Sequence, residues 1–200
     1  MYNPNKTKSI RELGVVDISA IQDEISNLPN EFWEQMDKNK PNNFEEFYKT
    51  QHIVFKFVYN LNDCTRSFEF PIWEQWKDRI LPIIEKAVEP YGYQNGVFSR
   101  IMLAKLKAGG DIKTHIDGNK AATFPHKIHI PIQTNDKVLF FVNPKLYHFE
   151  TGKAYEVNNL AAHYVENGGN TDRIHLIFEY FNPEHLPEGV SVEVDAHKDI

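Results

Sequence analysis

The sequence has one cysteine, no long apolar run and no basic stripe, and each shortage removes a class of protein. A single cysteine, Cys64, in 200 residues excludes an internal disulfide framework. No segment approaches the ~18 consecutive apolar residues of a membrane span. Lys and Arg number 22 against 28 Asp and Glu, and the resulting net charge of −6 argues against a nucleic-acid partner. The opening residues, Met1 to Lys6, hold no apolar stretch of the leader type, so a reducing cytoplasm is the expected setting. Internal repeats and low-complexity linkers are missing too. What remains is an ordinary globular chain, long enough for one domain with a full core. Against these shortages stands a concentration of histidine: nine in all, five of them between positions 115 and 163.

Periodicity separates two regions. Residues 1–95 read as a helical flank with at least one strand, 96–182 as antiparallel β, and 183–200 as a tail. Asp17 is placed to cap a helix whose Ile18, Ile21, Ile25 and Leu28 share a face, with Pro29 ending it. Asn30 is placed to cap a short helix carrying Phe32, Trp33 and Met36. His52 to Tyr59 reads as a strand. Between Pro71 and Val88, Ile72, Trp76, Ile80 and Ile84 recur at helical spacing, and Pro82 is expected to kink or restart that helix. Strands are expected at Phe98–Lys107, Lys127–Gln133, Val138–Val142, Ala154–Asn158 and Arg173–Phe181, with turn signals such as Gly109-Gly110 and Thr151-Gly152 between them.

Alternation sorts the strand faces. Ile128, Ile130 and Ile132 share one face, and Lys127, His129 and Pro131 the other. In the last strand Ile174, Leu176, Phe178 and Tyr180 oppose Arg173, His175 and Ile177. A sheet with a greasy outer face under the N-terminal helices and a polar inner face around a pocket accounts for both patterns. The expected fold is therefore mainly β with flanking helices, a double-stranded β-helix or jelly roll of the cupin-like kind.

The inner face carries the chemistry. His115 and Asp117 are two apart, so on an extended segment both side chains point the same way. Two imidazoles and one carboxylate on a β scaffold form the ligand set of a non-haem iron(II) site with open positions. His148, His163 and His175 are candidates for the third ligand. His163 is preferred, because a hairpin turn at Asn167-Gly168-Gly169-Asn170 would bring Arg173 beside it. An inward arginine offers a bidentate fork for a carboxylate co-substrate. Arg100, which alternates with Met102 and Ala104, and His175, which alternates with Arg173, are candidates for substrate contact. The alternative for Arg100 is an outward position, paired with an acid of the N-terminal helices.

From Arg100 to Tyr180 the chain resembles the aspartyl/asparaginyl β-hydroxylase and proline hydroxylase group of iron(II)- and 2-oxoglutarate-dependent dioxygenases. The residues that carry the likeness are His115-Ile116-Asp117, Lys127-Ile128-His129-Ile130-Pro131, Asn158-Asn159 with His163, and Arg173-Ile174-His175-Leu176. The resemblance implies that His115, Asp117 and His163 bind iron(II), that Arg173 holds the distal carboxylate of 2-oxoglutarate, that His129 contacts the same co-substrate, and that O2 is the oxidant. The vertebrate-type aspartyl hydroxylases lack the carboxylate ligand, whereas Asp117 is present here, as in the bacterial proline hydroxylases. Lys127 stands where an arginine is common. The expected activity is hydroxylation of a small-molecule amino acid or a peptide residue of the Asp, Asn or Pro type, with neither nucleic acid nor membrane as partner. The alternatives are a cupin-type isomerase or lyase using another divalent metal, and a non-catalytic metal- or ligand-binding sensor.

Overall fold

A computed structural model describes residues 6–41 and 49–186. The chain opens with β1 (Ile10–Val15), followed by α1 (Ser19–Ser26) and α2 (Asn30–Asp37). Next come β2 (Thr50–Asn60), β3 (Asp63–Glu69) and α3 (Trp73–Val88). Strands β4 (Val97–Leu106) and β5 (Asp111–His115), the single turn α4 (Lys120–Thr123) and β6 (His126–Gln133) follow. The remainder is β7 (Val138–Val142), β8 (Lys145–Tyr147), β9 (Lys153–Val157), β10 (His163–Asn167) and β11 (Arg173–Phe181). All pairings are antiparallel. One sheet has seven strands in the order β1-β9-β6-β11-β4-β2-β3, and the other four in the order β5-β10-β7-β8. This is the jelly roll expected from the alternation. Gly109 and Gly152 take φ of 67° and 73° in the turns before β5 and β9, a conformation that a Cβ disfavours. Among the described residues no helix is long and apolar enough to cross a membrane.

The outer face of the large sheet makes the main core. Ile128, Ile130 and Ile132 of β6 and Ile174, Leu176 and Phe178 of β11 pack with Ile21 and Ile25 of α1, Trp33 of α2, and Trp73, Trp76, Ile80 and Ile84 of α3. Each such aliphatic or aromatic side chain, fully buried, contributes about 1.5–3 kcal/mol. The helices therefore lie on this sheet because their apolar stripes and the strands' outward parity match.

Four local expectations are revised. Residues before 95 hold three strands: β2 is the strand expected at His52–Tyr59, while β1 closes one edge of the large sheet and β3 the other. Neither β1 nor β3 alternates cleanly, and the partner of β1, β9, lies far along the chain. Helix α3 runs through Pro82 without restarting; Pro82 and Asp78, whose carbonyl loses its donor, both lie on the exposed side, where water can replace the bond. Asn30 is the first residue of α2 rather than its cap, and its Oδ1 instead accepts from the buried Lys105 ammonium at 3.1 Å. His163 opens β10, and β10 and β11 belong to different sheets rather than to one hairpin. Asn167 accounts for this: its amide donates to the carbonyls of Thr171 (2.9 Å) and Lys107 (3.2 Å), so residues 168–172 are tied into a crossing between sheets rather than a hairpin. Residues 187–200 of the expected tail lie outside the described residues.

Candidate active site

Between the two sheets is a cavity of about 510 Å³. Its walls carry the inward residues of β2, β4, β6 and β11 from one sheet and of β5, β7 and β10 from the other. His115, Asp117, His163, His129, Arg173 and Arg100 all reach it. The sequence-derived site is thus gathered in one place, with one exception. His175 is fully buried and lies behind the wall, bonded to Arg173 and near His129.

His115 ends β5 and His163 begins β10, and the two are cross-strand partners. Asp117 follows β5 in a loop, its N–H donating to the Asn159 carbonyl at 2.9 Å. One potential ligand atom from each of the three lies within 4.8 Å of the others. Nδ1 of His115 is 2.7 Å from the Lys113 carbonyl, and Nδ1 of His163 is 2.9 Å from that of Ala161. A carbonyl can only accept, so both rings carry their proton on Nδ1 and present the Nε2 lone pair. Asp117 Oδ1 is 3.7 Å from His115 Nε2, while its Oδ2 accepts from Lys127 Nζ at 2.5 Å. One oxygen is therefore held by the protein and the other is turned toward the imidazoles. Burial pushes the Asp117 carboxyl up, but Lys127, then His163 and His115, outweigh it and hold it well below the usual carboxylate range. Burial takes the His163 imidazole down to about 4 in spite of Asp117. An ionised Asp117 carboxylate beside a neutral His163 imidazole suits a divalent metal, whose ligands must be deprotonated.

Arg173, the first residue of β11, is 1% exposed. Its Nη2 donates to His175 Nδ1 at 2.9 Å, while Nε and Nη1 have no partner. Burial pulls the guanidinium down to about 9, which leaves it charged at neutral pH. Among the described residues it is the one charged side chain on the cavity wall that no acid meets. Because arginine only donates, His175 Nδ1 is an acceptor. His129 Nδ1, 3.3 Å from the same nitrogen, can then contribute only as a donor. Burial, with Lys127 and Arg173 adding to it, keeps His129 well below the ordinary imidazole range; burial and Arg173 do the same for His175. His175 is thus placed to orient Arg173 and His129 rather than to touch a substrate.

One residue at the site was missed by the sequence reading, and a second, Asn159, was named there without a role. Glu179 faces the cavity and accepts from Arg100 Nη1 at 2.8 and 2.9 Å, so Arg100 points inward, as its alternation indicates, but already has an acid partner. Glu179 continues the parity of Arg173, His175 and Ile177, and following the alternation one step further would have found it. Asn159 is fully buried, receives the Asp117 N–H, and links to Ala122 and Lys6 through its side chain. No spacing rule points to it. Lys127, left without a role by the sequence, is the partner of Asp117. His148, the rejected ligand candidate, is exposed and bonds the Val138 carbonyl at 3.1 Å.

The paired sheets, with a two-histidine, one-carboxylate cluster in the cleft, define a jelly roll of the 2-oxoglutarate–iron oxygenase type. Solved structures share this fold at low identity. A prolyl hydroxylase of Trichoplax adhaerens, in complex with a hypoxia inducible factor peptide fragment, is 9% identical over 89% of this chain and 86% of its own, with a TM-score of 0.58. The viral collagen prolyl hydroxylase of Paramecium Bursaria Chlorella virus-1, a 2-oxoglutarate complex, is 10% identical over 86% and 96%, with a TM-score of 0.52. A 2-oxoglutarate–iron(II) oxygenase family protein of Burkholderia pseudomallei is 13% identical over 82% and 89%, with a TM-score of 0.50. No curated protein sequence matches the chain. The family model for aspartyl/asparaginyl β-hydroxylases matches residues 17–183. The chain belongs to that family and is a hydroxylase of the dioxygenase class.

Proposed function

We propose that this protein is an iron(II)- and 2-oxoglutarate-dependent dioxygenase that hydroxylates an amino acid or an amino-acid residue. The observation that carries the reading is the pairing of two incomplete sites in one cavity. One is a His115, Asp117 and His163 cluster with its donor atoms converging, and the other is the buried Arg173, whose Nε and Nη1 await an acceptor. A buried cation without an anion costs several kcal/mol, and a carboxylate ligand removes that cost with two charge-assisted hydrogen bonds. Of the similar structures, one is of the 2-oxoglutarate–iron(II) oxygenase family and another is a 2-oxoglutarate complex, and the donor set here suits iron(II).

In this reading His115 and His163 offer Nε2 and Asp117 offers Oδ1, while Lys127 keeps the second Asp117 oxygen occupied. Arg173 anchors the distal carboxylate of 2-oxoglutarate, steadied by His175, and His129 closes the same end of the cavity. The bound metal, with O2, supplies the oxidising chemistry: 2-oxoglutarate is converted to succinate and CO2, one oxygen atom entering succinate and the other the substrate as hydroxyl. The surrounding apolar wall excludes water from the reacting groups. Arg173 favours this reading over a cupin-type isomerase or a sensor, neither of which needs a buried carboxylate anchor. The test supplies iron(II), 2-oxoglutarate and O2, then follows succinate release and a one-oxygen mass gain across amino acids and peptides. Metal binding without any succinate, with or without those candidates, would defeat it.

A further inference from the structure

At the level of Asp117 the inner face of the large sheet carries a row of alternating charge. Arg100 on β4, Glu179 on β11 and Lys127 on β6 are cross-strand neighbours, and Lys127 reaches Asp117. Adjacent strands lie about 4.8 Å apart, so the row is no wider than a small molecule and ends at the metal-binding carboxylate. Arg100 and Glu179 are 5% and 3% exposed, and both are on the cavity wall. Arg100 Nη1 serves both Glu179 oxygens and Nη2 donates to Asn119 Oδ1 at 3.1 Å, yet Nε is buried with no partner. Glu179, with two oxygens and about four lone-pair directions, retains acceptor capacity beyond Arg100 and Ser99. A buried ion pair is a poor device for stability, since desolvation offsets its attraction. One that faces a cavity with a vacant donor and spare acceptors is suited to a ligand bearing both charges.

We propose that the Arg100–Glu179 pair is the head-group site for the substrate, and that it takes the zwitterion of a free α-amino acid with an uncharged side chain. The carboxylate lies on Arg100 and the ammonium on Glu179. The proposal rests on the oxygenase reading of the same cavity. The side chain must be uncharged because the other wall charges are committed: Asp117 to Lys127 and the metal, and Arg173 to the co-substrate. The surface that remains includes Val54, Phe57, Met102 and Phe140. Proline, leucine or asparagine fits that surface, whereas aspartate would bury a second carboxylate without a cation. Neither end of the zwitterion survives in the interior of a peptide, so a peptide residue is the losing alternative.

The test is calorimetric titration under nitrogen of the manganese(II)-loaded protein, with 2-oxoglutarate added first and the amino acid second. The probes are L-proline, L-leucine and L-asparagine, each also as its N-acetyl and its C-amide form, together with L-aspartate. At least one free neutral amino acid binds, and its two blocked forms and L-aspartate bind at least tenfold more weakly. Glu179→Gln removes the penalty for N-acetylation and keeps that for amidation, and Arg100→Gln does the reverse. Blocked forms or L-aspartate binding as tightly as the free neutral acids, or no free neutral acid binding while 2-oxoglutarate does, would overturn the proposal. Variants that weaken every form alike would make the pair merely structural and also overturn it. If neither variant folds, the wild-type series decides alone. Failure of 2-oxoglutarate itself to bind removes the oxygenase reading, and this proposal with it.

Discussion

Along β11 the outward residues Ile174, Leu176, Phe178 and Tyr180 are buried in the apolar core, while the inward residues Arg173, His175 and Glu179 are buried among charges. The same strand thus has two interiors. The outer one is apolar: Ile128, Ile130 and Leu176 have no exposed surface and share one core with the helices. The inner one is unfinished, with unpaired donors on Arg173, Arg100 and His175. Burial alone therefore does not distinguish stability from function. What distinguishes them is whether the buried polar groups are satisfied within the chain or left for a ligand.

Substitutions on the two faces should therefore separate activity from stability. The largest effect is expected at the metal ligands: His115→Ala, Asp117→Ala or His163→Ala abolishes 2-oxoglutarate turnover and leaves the circular dichroism of the folded protein. A His163→Ala enzyme with near-normal turnover would remove that residue from the site. On the outer face Leu176→Ala opens a cavity and costs about 2–5 kcal/mol of stability, measurable by urea unfolding. The fraction still folded should bind 2-oxoglutarate as wild type does, and a large loss of affinity would show that the faces are not independent. Arg173→Lys keeps the charge and loses the fork, removing about 1.5–3 kcal/mol of co-substrate binding, a roughly ten- to hundredfold higher 2-oxoglutarate requirement. The smallest effect has the opposite sign. Arg173→Met removes an unpaired buried charge, so without 2-oxoglutarate it should leave stability unchanged or raise it, by about 1 kcal/mol or more; a marked fall in the unfolding midpoint would mean that the arginine is structural.

The sequence revealed faces better than neighbours. Strict alternation in β6 and β11 was enough to assign Ile130 outward and His129 inward, because side-chain direction is a local property of an extended chain. The two-residue spacing of His115 and Asp117 was legible for the same reason. Which strand lies beside which is a non-local matter, and the placement of β10 and β11 in one hairpin was wrong because Asn167 ties the intervening loop to Lys107 and Thr171. His163 does converge with the pair, but through its cross-strand position opposite His115 rather than through a turn to Arg173. The edge strands β1 and β3 were invisible, being defined by partners such as β9 and β2 rather than by their own pattern. Lys127 and Asn159 stayed without roles because a hydrogen bond to Asp117 leaves no periodic trace.

In the proposed function the inner face holds iron(II) through His115, Asp117 and His163 and 2-oxoglutarate through Arg173 at the same time. Anaerobic titration of 2-oxoglutarate into the iron(II)-loaded protein, followed by visible absorption, tests this most directly. The expected result is a saturable metal-to-ligand charge-transfer band in the wild type, absent in His163→Ala and requiring far more 2-oxoglutarate in Arg173→Ala. A wild type without the band, or a band that forms equally well in both variants, would contradict it.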